Sequence, residues 1–163
     1  MTGAPSPLAA YDLEHSRRGA LRLAGVDEAG RGCWAGPVVA AAVVLPDGWC
    51  PRRLNDSKKL NGRVREELCR EIVASASSWG ACAVSAGRID RINILQATLE
   101  AMARSVAKLA PAPHLVLVDG RQIPPLDLPA RAVVGGDATS AAIAAASILA
   151  KVLRDRIMVA WDR

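Results

Sequence analysis

The sequence has few aromatic residues and few of the side chains that bind soft metals. Its 163 residues include no Phe, one Tyr and four Trp, so we do not expect an aromatic platform on which single-stranded bases stack. The four Cys are widely spaced and only two His accompany them. This excludes an ordinary zinc site and a dense disulfide framework, and predicts reduced, mostly buried thiols.

Long apolar runs are also missing, and the N-terminus lacks the basic and then apolar order of a signal peptide. We therefore expect a soluble, cytoplasmic, monomeric protein without a membrane partner. A net charge of +5 suits a polyanion such as nucleic acid, although ordinary surfaces often carry a similar excess.

The order of apolar segments predicts an α/β protein, with helices packed on a mixed five-stranded sheet. Residues 1–18 lack periodicity and are expected to form a flexible arm, and residues 19–163 one folded domain. Strands are predicted at 21–27, 37–45, 80–86, 115–119 and 131–134. Helices are predicted at 61–76, 91–109 and 140–161.

Two acidic residues are predicted to lie at neighbouring strand ends. The short link between the first two strands favours an antiparallel pair, whereas the fourth strand follows a crossover helix and should run parallel to the first. Asp27 closes the first strand and Asp119 closes the fourth. In an open α/β sheet the carboxyl ends of such strands are where sites occur.

Asp27 is followed by a second carboxylate, Glu28, and then by Gly30-Arg31-Gly32. An isolated Asp-Glu pair usually marks a solvated turn, but carboxylates beside glycines also suit a hard divalent metal and a phosphate. Successive strand residues point to opposite faces, so the strand must end or twist here if both carboxylates serve one site.

Asp155 is the fourth candidate carboxylate, and two interpretations of it stay open. It follows Lys151 by four residues, which is the spacing of a helical ion pair. With Ser147 and Lys151 it also forms a polar stripe on an otherwise apolar helix. Four carboxylates of this kind could hold two divalent ions about 3.5–4 Å apart, as in two-metal phosphodiester hydrolysis.

The segment Gly30-x-Gly32-x-x-Ala35 formally fits a dinucleotide-binding fingerprint. That fingerprint requires a helix directly after the glycines. Here an apolar strand-like run follows, and the two carboxylates would repel a pyrophosphate. We therefore rank a nucleotide-cofactor enzyme as a distant alternative.

Three further polar residues have both a structural and a functional interpretation. Ser57 and Lys58 precede the first long predicted helix, and Ser140 begins the last one. Each could cap a helix or remain solvated, or could contact the phosphate backbone of nucleic acid.

Together the motifs resemble prokaryotic ribonuclease HII, in order from about residue 21 to the end. They are Gly25-Val26-Asp27-Glu28-Ala29-Gly30-Arg31-Gly32, Asp56-Ser57-Lys58-Lys59-Leu60, Ile92-Asn93-Ile94-Leu95-Gln96-Ala97-Thr98, Val118-Asp119-Gly120, Ala144-Ala145-Ala146-Ser147-Ile148-Leu149-Ala150-Lys151-Val152 and Arg154-Asp155-Arg156.

The resemblance implies an RNase H-like fold and an endonuclease that cuts the RNA strand of RNA/DNA hybrids and single ribonucleotides within duplex DNA. It implies two Mn²⁺ or Mg²⁺ ions, and 3′-hydroxyl and 5′-phosphate products. The catalytic and metal-binding residues would be Asp27, Glu28, Asp119 and Asp155. Gly30, Arg31 and Gly32 would read the ribose 2′-hydroxyl, with Ser57, Lys58 and Ser140 near the substrate backbone.

The sequence departs from the family pattern in three places. Cys33 stands where Pro is frequent, and Thr139 where Lys is frequent, which removes a possible phosphate contact. The family usually continues beyond the position of Arg163 with a tyrosine that stacks at the RNA-DNA junction. A non-catalytic hybrid-binding module is therefore the alternative to a two-metal ribonuclease.

Overall fold

The computed structural model describes residues 4–17, 22–33, 35–54 and 60–162, and within them a mixed five-stranded sheet lies between layers of helices. The strands are β1 (Leu23–Ala29), β2 (Val38–Val44), β3 (Ser78–Val84), β4 (Leu115–Asp119) and β5 (Ala130–Val133). The helices are α1 (Pro7–Arg17), α2 (Gly62–Ser75), α3 (Ala86–Ile92), α4 (Ile94–Val106) and α5 (Ala141–Trp161).

The strand order is β3-β2-β1-β4-β5. β1 pairs antiparallel with β2 and parallel with β4, and both pairings confirm the sequence prediction. The partner of Val26 in β4 is Val118, so Asp27 and Asp119 follow as neighbours at the carboxyl ends of adjacent parallel strands. β1 itself continues to Ala29, two residues beyond the predicted strand end.

Alternating residues of β2 build the core on both sides of the sheet. All seven residues of this interior strand, which lies between β3 and β1, are buried. Ala41 and Val43 pack among residues of α2 and α5, whereas Ala40 and Ala42 lie in the cluster that contains the buried face of α4. The small alanines allow both helical layers to approach the sheet closely.

Helix α5 begins directly on β1. A Cβ atom on Gly25 would lie 2.1 Å from the carbonyl carbon of Ala142, so only glycine fits at this contact. The Ala-rich first turns of α5 are fully buried. This close packing fixes the position of α5 on the sheet. It thereby also fixes where the polar stripe of Ser147, Lys151 and Asp155 lies relative to the strand ends.

The predicted helix at 91–109 is in fact two helices. The chain breaks at Asn93, whose φ is +69°, and the Asn93 side chain accepts a hydrogen bond from the N–H of Gln96 at the start of α4. Asn tolerates this left-handed conformation better than most residues. The apolar periodicity continues across the break, which is why it predicted one helix.

The expected flexible arm contains helix α1 instead. The Ser6 hydroxyl accepts a hydrogen bond from the N–H of Ala9, and Leu8 and Ala9 are buried. Asp12 reaches the start of α5, where its Oδ2 accepts a hydrogen bond from the N–H of Ala142 at 2.9 Å. Contacts with distant residues therefore stabilise a helix that has no regular apolar stripe of its own.

No helix within the described ranges combines the length and the apolar character needed to cross a lipid bilayer.

Candidate active site

The candidate site lies at the carboxyl ends of β1 and β4. Adjacent strands are about 4.8 Å apart, and the pairing of Val26 with Val118 places Asp27 and Asp119 next to each other. These two residues therefore come together from segments that are far apart in the sequence. This part of the site matches the geometry that the sequence predicted.

Asp27 is a buried carboxylate among other carboxylates. It is only 6% exposed, and burial together with the negative charges of Asp119 and Glu28 raises its pKa well above the usual range. Its Oδ1 accepts a hydrogen bond from the N–H of Glu28 at 2.7 Å, and the Ser147 hydroxyl of α5 also hydrogen-bonds it. Such a group is electrostatically prepared for a cation.

Glu28 remains part of β1, paired with Ala40 of β2. Burial raises the pKa of Glu28, while the positive charge of Arg31 opposes that effect. The Arg31 guanidinium lies 3.7 Å from the Glu28 carboxylate and its side chain is 48% exposed. Although the strand does not end at Asp27, the carboxylates of Asp27 and Glu28 each affect the pKa of the other.

Asp119 is held by the turn that precedes α5. Its Oδ1 accepts a hydrogen bond from the N–H of Gly136 at 2.7 Å. Asp137 directly follows Gly136 in the chain and lies within a short 3₁₀ turn formed by Gly136–Ala138. This turn therefore brings a further acidic residue beside the strand ends.

The sequence interpretation missed Asp137. It stands outside every long apolar segment, so the pattern of carboxylates closing strands or lining helices did not include it. The available signal was its position directly after Gly135-Gly136, just before the start of the last helix. Gly135 has a φ of +67° and lets the chain turn back toward Asp119.

Asp155 lies farther along α5. Ser147, Lys151 and Asp155 form the predicted polar stripe, and each is partly exposed on a helix whose neighbouring residues are largely buried. The Lys151 ammonium donates to Asp155 Oδ1 at 2.7 Å. Asp155 is eight residues, or about 12 Å of helix, beyond the Ser147 that contacts Asp27. Its place in a metal site stays a prediction.

The loop between β1 and β2 carries Gly30, Arg31 and Gly32. Gly30 has a φ of +101° and the N–H of Cys33 donates to its carbonyl oxygen. Gly32 is different, because among the described residues no heavy atom beyond its chain neighbours lies within 4 Å of the position that a Cβ would take there. No packing contact within the described part of the chain therefore explains the glycine.

The sequence also predicted contacts with the substrate backbone for Ser57, Lys58 and Ser140. Ser57 and Lys58 lie outside the described residues. Ser140 is fully buried and its hydroxyl accepts a hydrogen bond from the N–H of Ile143 at 3.2 Å. The structure therefore corrects the expectation that Ser140 touches substrate: its hydroxyl caps α5 and does not reach the surface.

The carboxylates suit a hard divalent cation by their chemistry. Among the described residues, however, no three His, Cys, Asp or Glu side chains are grouped closely enough to hold an ion as they stand. Asp27 and Asp119 are each turned toward a backbone N–H. In each carboxylate this hydrogen bond uses Oδ1.

The dinucleotide-binding alternative requires a helix directly after the glycine loop. The loop is followed by β2, which begins at Val38. The described residues after the glycines therefore offer no helix N-terminus that could bind a pyrophosphate.

Solved structures identify the fold class. The ribonuclease H2 of Pyrococcus horikoshii superposes with a TM-score of 0.73 at 27% identity, covering 86% of this chain and 75% of that one. Bst-RNase HIII in complex with Mn²⁺ superposes with a TM-score of 0.75 at 22% identity, covering 96% and 57%. This chain has the RNase H-like fold that these enzymes share.

Sequence comparison then identifies the family. A model described as Ribonuclease HII matches residues 24–163. The ribonuclease HII of Paracoccus denitrificans is 57% identical over 152 residues, covering 91% of this chain and 72% of that protein. The enzyme named Ribonuclease HII in Moorella thermoacetica is 52% identical over 155 residues, covering 95% and 75%. The chain belongs to the ribonuclease HII family.

This assignment confirms the predicted class of enzyme. Members of the family are endonucleases that hydrolyse the RNA of RNA/DNA hybrids, and this chain is a ribonuclease of that kind. The alternative of a non-catalytic binding module is not favoured by any contact in the described residues.

Proposed function

We propose that this ribonuclease cuts the RNA strand of RNA/DNA hybrids and also cuts at single ribonucleotides embedded in duplex DNA, leaving 3′-hydroxyl and 5′-phosphate ends. The observation that carries the proposal is the meeting of Asp27 and Asp119 at adjacent strand ends, with Glu28 beside them. The net charge of +5 suits a polyanionic substrate.

Two divalent ions, Mn²⁺ or Mg²⁺, are the proposed cofactors. Asp27, Glu28 and Asp119 would hold them, because their oxygens are hard ligands and their mutual repulsion would be relieved by a cation. When bound, such ions activate a water molecule and stabilise the charge that develops on the scissile phosphate.

A fourth carboxylate is proposed to complete the set, and two residues compete for this position. The family resemblance implies Asp155, but its carboxylate accepts a hydrogen bond from Lys151. Asp137 follows the residue whose N–H already binds Asp119. Because Asp137 is next in the chain to a residue that contacts Asp119, we favour Asp137 over Asp155. Separate substitutions, Asp137→Asn and Asp155→Asn, distinguish the two residues.

The chain's own residues account for recognition of RNA in this proposal. The open space at Gly32 allows a sugar to approach the backbone closely, and a 2′-hydroxyl distinguishes RNA from DNA at such a contact. The exposed Arg31 is available to a nearby phosphate. We propose that the enzyme acts as a monomer in the cytoplasm.

The test is cleavage of a DNA duplex that contains one ribonucleotide, in the presence of Mn²⁺. The wild-type protein should cut it at the ribonucleotide, and Asp27→Asn should not. An all-DNA duplex of the same sequence serves as the substrate control. Equal cutting by the two proteins, or equal cutting of both duplexes, would reject the proposal.

A further inference from the structure

Arg154 is a buried arginine that connects α5 to the loop between β1 and β2. It is only 7% exposed. Its Nε donates to the carbonyl oxygen of Pro37 at 3.0 Å, and a terminal nitrogen donates to the carbonyl oxygen of Ala35 at 2.7 Å. These partners precede it by 117 and 119 residues, so the contact joins distant parts of the chain.

Two glycines of the same loop fit around this side chain. A Cβ on Gly30 would lie 2.3 Å from Arg154 Nε, and Gly30 has a φ of +101°. A Cβ on Gly36 would lie 3.2 Å from a terminal nitrogen of Arg154 and 2.4 Å from Met158 Sδ, and Gly36 has a φ of +90°. The guanidinium therefore touches the outgoing and the returning end of the loop.

Simple packing does not account for an arginine at this position. A buried cation is unfavourable unless its hydrogen bonds are satisfied, and an apolar side chain could fill the same space without that requirement. The planar guanidinium adds fixed donor directions, which a lysine ammonium lacks. Those directions match the two carbonyl oxygens and define where the loop lies relative to α5.

The loop tip has few such contacts of its own. Arg31, Gly32 and Cys33 are exposed, and no described residue apart from the chain neighbours lies within 4 Å of the Cβ position of Gly32. The position of this tip therefore depends on how the two ends of the loop are held. Arg154 holds both of them from the helix that also contacts Asp27 through Ser147.

We propose that Arg154 is a positioning residue. It holds the Gly30–Gly32 backbone in the position from which this backbone recognises the ribose. The proposal rests on the function proposed above. Arg154 does not touch substrate in this scheme; it acts through the loop. Its loss should weaken recognition of the ribonucleotide while the carboxylates on β1 and β4 keep their place.

The test compares Arg154→Lys and Arg154→Met with wild type, and uses Arg156→Lys as the matched control. Arg156 lies on the same helix, but its guanidinium is half exposed and pairs with Glu66 at the surface. Three quantities are measured for each protein: the melting temperature, the affinity for Mn²⁺ without substrate, and kcat and KM on a duplex with one ribonucleotide.

We expect kcat/KM to fall about 10- to 100-fold in both Arg154 variants, because a displacement of about 1 Å in a positioning element has effects of this size. Mn²⁺ affinity should stay at the wild-type value. Arg154→Lys should not rescue activity although it keeps the charge, since the two donor directions are lost. Arg156→Lys should behave as wild type in all three measurements.

Wild-type kcat/KM in a folded Arg154→Lys protein would overturn the proposal. A loss of Mn²⁺ affinity parallel to the loss of cleavage would also overturn it, because the residue would then support the whole site. If Arg154→Met does not fold, Arg154→Lys decides the matter. Failure of the wild-type protein to cut the ribonucleotide would instead reject the proposed function.

Discussion

Two buried aspartates, Asp27 and Asp12, differ in what surrounds them. Burial raises the pKa of both, for Asp12 to about 6. Asp27 faces the further negative charges of Asp119 and Glu28, which raise its pKa more. Asp12 faces the first turn of α5, where the N–H of Ala142 and the hydroxyl of Ser140 lower its pKa against the effect of burial.

A raised pKa does not by itself mark an active site. Asp12 makes hydrogen bonds that stabilise the fold, since it caps a helix whose N-terminus favours a negative charge. Asp27 lies where like charges are concentrated, and that arrangement is unfavourable until a cation is bound. The neighbours of the carboxylate, more than its burial, separate the functional group from the structural one.

The largest expected effect is that of Asp27→Asn. Cleavage should fall about 1,000-fold, because metal ions supply several kcal/mol of transition-state stabilisation. The metal-free protein should become more stable, since one of the repelling charges is removed. Cleavage assays and thermal melting without metal measure the two effects. A less stable Asp27→Asn protein would show that Asp27, like Asp12, mainly stabilises the fold.

The next effect separates Asp137 from Asp155. We expect Asp137→Asn to lower kcat about 100-fold, as loss of a residue that orients or binds metal does. Asp155→Asn should have less than a tenth of that effect, because its carboxylate pairs with Lys151. Single-turnover cleavage with Mn²⁺ measures both. The reverse order would restore Asp155 to the metal site.

A third prediction concerns the pH dependence of Asp12. Because its pKa rises from 3.8 to about 6 on folding, the folded state binds the proton more tightly than the unfolded state. The wild-type free energy of unfolding should therefore fall as the pH rises from about 4 to about 6, relative to Asp12→Asn. The difference should reach about 2–3 kcal/mol.

Urea unfolding of both proteins near pH 4 and near pH 7 measures this difference. Cleavage by Asp12→Asn should match wild type, since Asn can still accept the hydrogen bond from Ala142. A large loss of activity in a folded Asp12→Asn protein would remove the distinction between the two aspartates.

The smallest effect is expected at Gly32. Gly32→Ala should leave the melting temperature unchanged, because the Cβ would come within 4 Å of no described residue beyond its chain neighbours. It should reduce kcat/KM about tenfold if a sugar approaches this backbone closely, since small misplacements at a reacting site are costly. Gly87→Ala is the matched control, as its Cβ position is equally open on α3. Equal activity of the two variants would argue against ribose reading at the loop.

Much of the sheet could be predicted from the sequence. The apolar runs around Val26 and Val118 identified β1 and β4, and the intervening helical pattern predicted that they lie parallel. That pairing alone brought Asp27 beside Asp119. The pattern of apolar residues was sufficient here, because a short connection indicates an antiparallel pair of strands and a helical crossover indicates a parallel pair.

Features that depend on distant contacts could not be predicted. Asp12 is 130 residues from the N–H of Ala142 that it binds, so α1 gave no local signal of its packing. Asp137 is proposed for the site only because its neighbour Gly136 binds Asp119. Arg154 belongs to a charged helix end in the sequence, and only the folded chain reveals that it is buried.

Anomalous diffraction from crystals soaked in Mn²⁺ is the most direct test of a metal site between Asp27 and Asp119. We expect manganese coordinated by carboxylate oxygens of Asp27 and Asp119. Manganese bound elsewhere, or the absence of any manganese between the ends of β1 and β4, would contradict this expectation.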